Sequence, residues 1–320
     1  MLTRLQAVFP PMATPFAGGD VDEAAIRRNV QTWMLAGVGG IVALGSNGEA
    51  PLLDDEESDR VISAARAGLP ASGLLIAGTG RESTPGTIAA AKRAARLGAN
   101  VVLVRTPSYF KNRMTRDALV RHYTAVADGS PSPVLLYNYP AVTGINITVE
   151  TVARLSEHPN IIGVKETGSD TAQVAAFVDA SSQAFAVLAG SAPTFYPSLC
   201  MGARGAILAA ACVVPDICVR LLEHFRAGRH AEARALQALI TPLAQLVTTV
   251  HGVPGLKAAM DLAGFTGGDP RGPLQPAPAD AVEQIRSALA GVRSRFSEAA
   301  PDYPRHAVER TREADHIRRI

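Results

Sequence analysis

Residues 101–127 read VVLVRTPSYFKNRMTRDALVRHYTAVA. Val101–Val104 is a short apolar run dominated by β-branched side chains, the mark of a buried strand. Thr106-Pro107-Ser108-Tyr109 follows as a loop. Thr115 then offers a capping hydroxyl, and Thr115–Ala127 is amphipathic with helical spacing. One strand, one loop and one helix make a βα unit.

The unit recurs in both directions. Apolar runs lie at Gln6–Pro10, Gly40–Leu44, Leu74–Ala77, Val134–Tyr137, Ile161–Lys165, Ala186–Ala189 and Gly205–Ala209. Between them stand amphipathic stretches such as Glu23–Leu35, Asp55–Ala67 and Thr84–Leu97. Asp22 and Ser83 are placed as caps, and Thr148-Val149-Glu150-Thr151 has the pattern of another helix start. Eight alternations predict an α/β fold, a (β/α)8 TIM barrel. A doubly wound open sheet would carry a Gly-rich phosphate turn after its first strand, and Pro10-Pro11-Met12-Ala13 is no such turn. Residues 1–212 are expected to form the barrel. Residues 213–295, with helical patterns at Pro215–Ala227, His230–Val247, Pro254–Ala263 and Ala279–Arg295, are expected to form a C-terminal helical annex of the same domain. Residues 296–320 read as a charged tail, mobile or forming a peripheral helix.

Composition narrows the function classes. The chain has 31 Lys and Arg against 29 Asp and Glu, a net charge of +2, and only 5% aromatic residues. That balance offers no electrostatic footprint for nucleic acid or an anionic membrane, and few platforms for base stacking. No apolar stretch reaches the ~18 residues that span a bilayer. Arg4 is followed by Pro10, Pro11 and Pro15 instead of a signal-peptide core. Cys200, Cys212 and Cys218 lack metal-ligand spacing, so reduced core cysteines and a cytoplasmic location are expected. No metal is expected.

In a barrel of this kind chemistry collects on the loops at the strands' C-terminal ends. Lys165 closes the run Ile161-Ile162-Gly163-Val164 and is therefore expected inside the barrel. Burial lowers a lysine pKa and yields a neutral amine that can attack a carbonyl. The other reading is a buried stem with its ammonium head in water. Four more clusters fall on the same rim: Gly45-Ser46-Asn47-Gly48-Glu49, Thr106–Tyr109, Tyr137-Asn138-Tyr139-Pro140 and Gly190-Ser191. The glycine-flanked turn at Ser46 and Asn47 can converge backbone N–H groups on a carboxylate, or be a plain turn. Tyr137 neighbours Lys165 in strand order, within reach of an imine or as a core tyrosine. Glu166 follows Lys165, points to the opposite face and is expected to pair with a helix residue. Asp54, Asp55, Glu56 and Glu57 form an acidic helix start.

At these residues the chain resembles the dihydrodipicolinate synthase / N-acetylneuraminate lyase family of class I aldolases. The carriers are GSNGE (45–49), AGTGRES (77–83), TPSYF (106–110), YNYPAVTG (137–144), GVKET (163–167) and AGSAP (189–193), within a match from about Leu5 through Ala290. The resemblance implies a lyase that needs no cofactor, with Lys165 forming a Schiff base with a 2-oxo acid and Tyr137 shuttling protons. Ser46 and Asn47 would bind the keto-acid carboxylate and relay protons, and Gly190 and Ile207 would line the imine pocket. Tyr109 matches a catalytic tyrosine that reaches a neighbouring subunit's site, which implies a homotetramer built as a dimer of dimers.

Departures from the family pattern select among its members. Val142 stands where dihydrodipicolinate synthases carry an arginine for the aldehyde substrate's amino-acid end, so lysine biosynthesis is disfavoured. Ala50, Pro51, Asp55 and Ser108 alter the positions that bind feedback lysine, so no lysine inhibition is expected. Ser46-Asn47, His122-Tyr123 and His251-Gly252-Val253-Pro254-Gly255-Leu256-Lys257 look most like 4-hydroxy-2-oxoglutarate aldolases, which yield pyruvate and glyoxylate. Tyr137–Pro140 and Gly163–Thr167 also look like 2-keto-3-deoxy sugar acid aldolases or dehydratases, where Tyr139 and Thr167 would contact substrate hydroxyls. With no arginine evident for a distal carboxylate, the Ser46 and Asn47 side chains are left to hold it.

Overall fold

A computed structural model describes residues 1–299. Eight parallel strands form one sheet: β1 (Val8–Phe9), β2 (Gly40–Ala43), β3 (Leu74–Gly78), β4 (Val101–Arg105), β5 (Val134–Asn138), β6 (Ile161–Glu166), β7 (Ala186–Ala189) and β8 (Gly205–Ile207). Each pairs with its sequence neighbours, and β1 pairs with β8 through Val8↔Ala206 and Phe9↔Ile207. The last seam, between β1 and β2, is joined at Pro11↔Val42. The sheet is a (β/α)8 barrel, with helices between its strands and further helices after β8.

The first strand is shorter than the run Gln6–Pro10 because its continuation is Pro10-Pro11, which lacks N–H donors. The seam uses what the prolines leave: Val42 N–H donates to Pro10 O (2.9 Å) and Met12 N–H to Val42 O (3.0 Å). At the other end of the sheet order, β8 stops at Ile207 and Ala209–Cys212 turns into a 3₁₀ helix, so the apolar run Gly205–Ala209 is only partly strand.

The strands read as apolar runs because they are buried on both faces. Inner residues such as Phe9, Val42, Leu74, Leu135 and Leu188 fill the barrel, while a larger cluster including Trp33, Val104, Val164 and Phe177 packs between barrel and helices. The β5–β6 register slips between Val134 and Leu135. That irregularity lets Ile162 join the inner cluster although it stands three residues before Lys165, an odd spacing that strict alternation forbids.

The helix starts follow from their caps. Asp22, Ser83 and Thr115 accept from Ala25, Gly86 and Ala118 N–H at 2.9, 3.1 and 3.3 Å. Asp54 and Glu57 form a reciprocal capping box, so the acidic cluster has a definite task there. Thr148 caps its helix on Thr151 N–H at 3.3 Å.

The C-terminal helices span Pro215–Arg226, His230–Gln245, Gly252–Ala263 and Ala279–Ala299, with a π-helical turn at Leu246–Val250 where a continuous helix to Val247 is predicted. Trp33 Nε1 donates to Cys212 O (3.2 Å) and its ring stacks on Phe265 (5.4 Å). Asn29 and Thr266 exchange two hydrogen bonds of 2.8 and 3.0 Å. The barrel and its annex thus share buried polar contacts as well as apolar surface. Of the expected tail, residues 296–299 continue the last helix, and the rest lies outside the described residues.

Candidate active site

The register aligns Arg105 with Tyr137 and Tyr137 with Lys165, so three polar side chains stand in one inward row at the C-terminal ends of β4, β5 and β6. Lys165 is 4% exposed, and its Nζ lies 4.1 Å from the centre of the Tyr137 ring. Burial brings the Lys165 amine down to about 7. No carboxylate pairs with it among the described residues. The deprotonated lysine required of an amine nucleophile is therefore well populated near neutral pH.

Tyr137 is buried and hydrogen-bonded to Ser46, with its hydroxyl 3.2 Å from Ser46 Oγ. Burial pushes the phenol up to about 12, partly offset by Ser46 and by the nearby Thr167 hydroxyl. It is a neutral donor at ordinary pH. Thr167 Oγ1 approaches the phenol without meeting hydrogen-bond geometry and has no partner among the described residues. Tyr139 stacks on Tyr137, with ring centres 5.9 Å apart.

Glu166 faces away from Lys165. Its carboxylate accepts from Asn138 Nδ2 (2.6 Å), Gly168 N–H (2.6 Å) and Gln173 Nε2 (3.0 Å), the last on the following helix. The expected helix partner is Gln173, and Asn138 adds a second clamp across β5 and β6. Gly190 fits beside this pair for want of a side chain. A Cβ there would stand 2.3 Å from Thr167 Oγ1 and 2.7 Å from Glu166 O. Ile207 is fully buried in the inner barrel cluster with Tyr137.

A cavity of about 540 Å³ opens at the Tyr137 and Arg105 end of this row; Lys165, Asn47, Tyr139 and Thr167 are not among the residues that line it. Ser46 and Tyr137 line it, as do Gly45, Gly80, Arg105 and Val142. Ser46 and Asn47 amides have no acceptor among the described residues, while Gly48 and Glu49 N–H close the turn on Gly45 O and Ser46 O, both at 3.1 Å. The turn thus brings Ser46 Oγ to the phenol while leaving both amides without an acceptor among the described residues. Tyr109 is different: it is 80% exposed, edge-on to Phe110, and does not line the cavity of its own chain.

Three features escape the sequence reading. Arg105 lines the cavity, contrary to the expectation that no arginine is available for a distal carboxylate. The predicted strand ends at Val104, yet β4 runs one residue further, and alternation from Leu103 turns Arg105 inward. Glu82 is the second: it accepts from Arg105 Nη1 (2.8 Å) and from Ser108 and Tyr109 N–H (2.9 Å each). The third is a buried ion pair, Glu49 Oε1 with Lys257 Nζ at 2.6 Å. Lys257 also donates to Thr14 O (2.8 Å), and Arg271 N–H to Glu49 Oε2 (2.7 Å). This pair locks the turn carrying Ser46 to the C-terminal annex.

The sequence matches the model of the dihydrodipicolinate synthetase family over residues 4–291. The chain belongs to that family. It is a lyase of the lysine Schiff-base type. Relatives include a probable mitochondrial 4-hydroxy-2-oxoglutarate aldolase of Emericella nidulans, 39% identical over 272 residues that cover 83% of this chain and 88% of that one. A 4-hydroxy-tetrahydrodipicolinate synthase of Xanthomonas campestris pv. campestris is 42% identical over 232 residues, 72% of this chain and 76% of its own. Among solved structures, the 4-hydroxy-tetrahydrodipicolinate synthase of Methylacidiphilum fumariolicum SolV superimposes with a TM-score of 0.87 at 30% identity, over 92% of this chain and 97% of that chain. Among the described residues of this family member, no helix is long and apolar enough to cross a membrane.

Proposed function

We propose that this aldolase cleaves 4-hydroxy-2-oxoglutarate to pyruvate and glyoxylate, with Lys165 as the nucleophile. The observation that carries the reading is the buried Lys165 amine, brought down to about 7, beside the Tyr137–Ser46 hydrogen bond. The Emericella nidulans relative and the uncharged Val142 at the cavity support the choice of substrate.

The chemistry follows from the row of residues. Lys165 adds to C2 of the substrate, and the resulting carbinolamine loses hydroxide as Tyr137 gives up its proton, leaving water, an iminium ion and a phenolate. The phenolate takes the proton of the C4 hydroxyl. The C3–C4 bond then breaks, its electrons pass into the iminium to form an enamine, and glyoxylate leaves. Tyr137 returns the proton to C3, water hydrolyses the iminium to pyruvate and free Lys165, and the proton so released restores the Tyr137 phenol. The free amides of Ser46 and Asn47 hold the carboxylate next to C2, and Ser46 Oγ relays protons to Tyr137. Gly190 and Ile207 wall the imine pocket. Tyr109 serves the site of a second copy in a homotetramer, which accounts for its exposure in a single chain.

A second reading is supported by Thr167, whose buried hydroxyl has no hydrogen-bond partner among the described residues, and by Tyr139 on the Tyr137 ring. Both suit the extra hydroxyls of a 2-keto-3-deoxy sugar acid, cleaved or dehydrated through the same imine. Dihydrodipicolinate synthesis is the third reading, which the Xanthomonas relative supports and Val142 opposes. The test is mass spectrometry after borohydride reduction with 4-hydroxy-2-oxoglutarate, run beside a coupled pyruvate assay. An adduct on Lys165 with release of pyruvate and glyoxylate is expected. An adduct with pyruvate but no turnover of this substrate overturns the choice and moves it to sugar acids.

A further inference from the structure

The cavity is asymmetric in charge. Of the described residues lining it, Glu49, Glu82 and Arg105 carry full charges, and Arg105 is the sole cation. Glu49 is committed to Lys257 and to the Arg271 amide. Glu82 is equally occupied, with Oε1 on Arg105 and Oε2 on the Ser108 and Tyr109 amides. The carboxylates therefore serve as structural anchors for the loops around the cavity.

Arg105 is only half used. Nη1 donates to Glu82 Oε1 at 2.8 Å, to Thr106 O at 3.2 Å and, marginally, to Ser108 Oγ at 3.5 Å. Nε and Nη2 have no acceptor among the described residues. Those two N–H groups form one edge of the guanidinium, a fork that matches a carboxylate in bidentate fashion. Glu82 fixes the other side of the group, so little rotamer freedom is left to lose on binding.

Space has been made for this side chain. Gly80 sits against it, and a Cβ there would lie 2.8 Å from both Arg105 Cγ and Arg105 N. The register puts Arg105 two strands from Lys165, about 10 Å between backbones, with Tyr137 between them. Tyr137 lies between the amine and the cavity that Arg105 lines, so an imine-bound ligand extending past Tyr137 into that cavity would approach the guanidinium.

We propose that Arg105 is the anchor for a second carboxylate, and that the site is selective for 2-oxo dicarboxylates over 2-oxo monocarboxylates of equal length. The proposal rests on Lys165 forming the imine and deepens the choice of 4-hydroxy-2-oxoglutarate. Val142, where the family resemblance implies an arginine in dihydrodipicolinate synthases, lies on the short helix Pro140–Thr143, whereas Arg105 stands at the end of β4.

The test uses two probes that form imines without retro-aldol cleavage, 2-oxoglutarate and 2-oxopentanoate, which differ only in the distal carboxylate. Borohydride trapping on the full-length protein gives the half-saturating concentration of each. The wild type should favour 2-oxoglutarate, and Arg105→Gln should reduce that preference about 10- to 100-fold, the range for a lost charge-assisted hydrogen-bond pair. Arg105→Lys, which keeps the charge beside Glu82 but loses the fork, should fall between them and serves alone if the glutamine variant does not fold. Equal affinities in the wild type, or a preference that survives both substitutions, overturns the proposal. Because no turnover is required, failure to cleave 4-hydroxy-2-oxoglutarate is read separately and bears on the substrate alone.

Discussion

Lys165 Nζ stands over the face of the Tyr137 ring at 4.1 Å, with the Tyr137 hydroxyl turned to Ser46. The ring face favours an ammonium, yet burial wins and brings Lys165 to about 7 from its ordinary 10.5. The same phenol can therefore shield the amine and exchange protons with whatever is bound to it.

The first consequence is a pH dependence. Formation of the pyruvate imine should rise with pH through a midpoint near 7, as the reactive neutral amine is uncovered. Rates of borohydride-trapped adduct between pH 5.5 and 9 measure it. A rising limb centred near 10 would mean that Lys165 is not desolvated.

Stability should move the opposite way from activity when Lys165 is removed. Between about pH 7 and 10.5 the unfolded chain binds this proton more readily than the folded one, so stability rises with pH through that window. Below it the buried amine costs about 5 kcal/mol, and about 4 kcal/mol at pH 7 itself, where it is half titrated. Lys165→Met should abolish trapping and turnover while raising stability at pH 7 by roughly 2–4 kcal/mol, a gain that shrinks toward pH 10. Urea unfolding at both pH values checks this. An adduct retained in the variant would remove Lys165 from the mechanism.

Tyr137→Phe keeps the ring over Lys165 and deletes the proton relay. Turnover should fall by roughly 10²–10⁴, while borohydride still traps some pyruvate on Lys165. Single-turnover kinetics and intact-mass spectrometry separate the two effects. An unchanged kcat would show that protons travel by another route.

The Glu49–Lys257 pair should be worth more together than its parts suggest. Both side chains are essentially inaccessible, so Lys257→Met leaves a buried carboxylate with, among the described residues, only the Arg271 amide as a partner. We expect a loss of about 3–5 kcal/mol for that change and a clearly smaller loss for the double variant Glu49→Gln/Lys257→Met. Denaturant midpoints at constant m provide the measurement. Strict additivity would mean that the pair is held open to water.

The barrel was legible because each strand is buried on both faces and reads as an uninterrupted apolar run, such as Val101–Val104 or Val134–Tyr137. The rim was legible because the loop after a strand has a fixed place in this architecture, and Ser46, Tyr137 and Lys165 do meet there. Arg105 was hidden by its own chemistry: a charged residue ends an apolar run, although alternation from Leu103 already turned it inward. Glu49 and Lys257 are 208 residues apart, and no local pattern announces such a partnership. Tyr109 is exposed and stands outside the cavity of its own chain, so the role the resemblance implies for it rests on the proposed second copy.

Gly190 tests how tightly the imine pocket is braced. Its amide donates to Glu166 O at 2.6 Å, so the backbones at the ends of β6 and β7 touch where Lys165 emerges. A methyl group at Gly190 would meet Glu166 O at 2.7 Å and Thr167 Cα at 2.9 Å, atoms that cannot swing aside as the end of a side chain can. Gly190→Ala should therefore cost roughly 1–3 kcal/mol and displace the Glu166–Thr167 backbone, slowing imine formation. Gly291, in the exposed face of the last helix, has open space where a methyl group would stand, with nothing within 4 Å. There the same substitution should stabilise by up to about 1 kcal/mol, because alanine loses less backbone entropy than glycine in a helix. Thermal melts of the two variants beside trapping rates make the comparison. If Gly190→Ala matched Gly291→Ala in both, the strand ends would have to be free to part, and the rigid placement of Lys165 would have to come from the barrel interior instead.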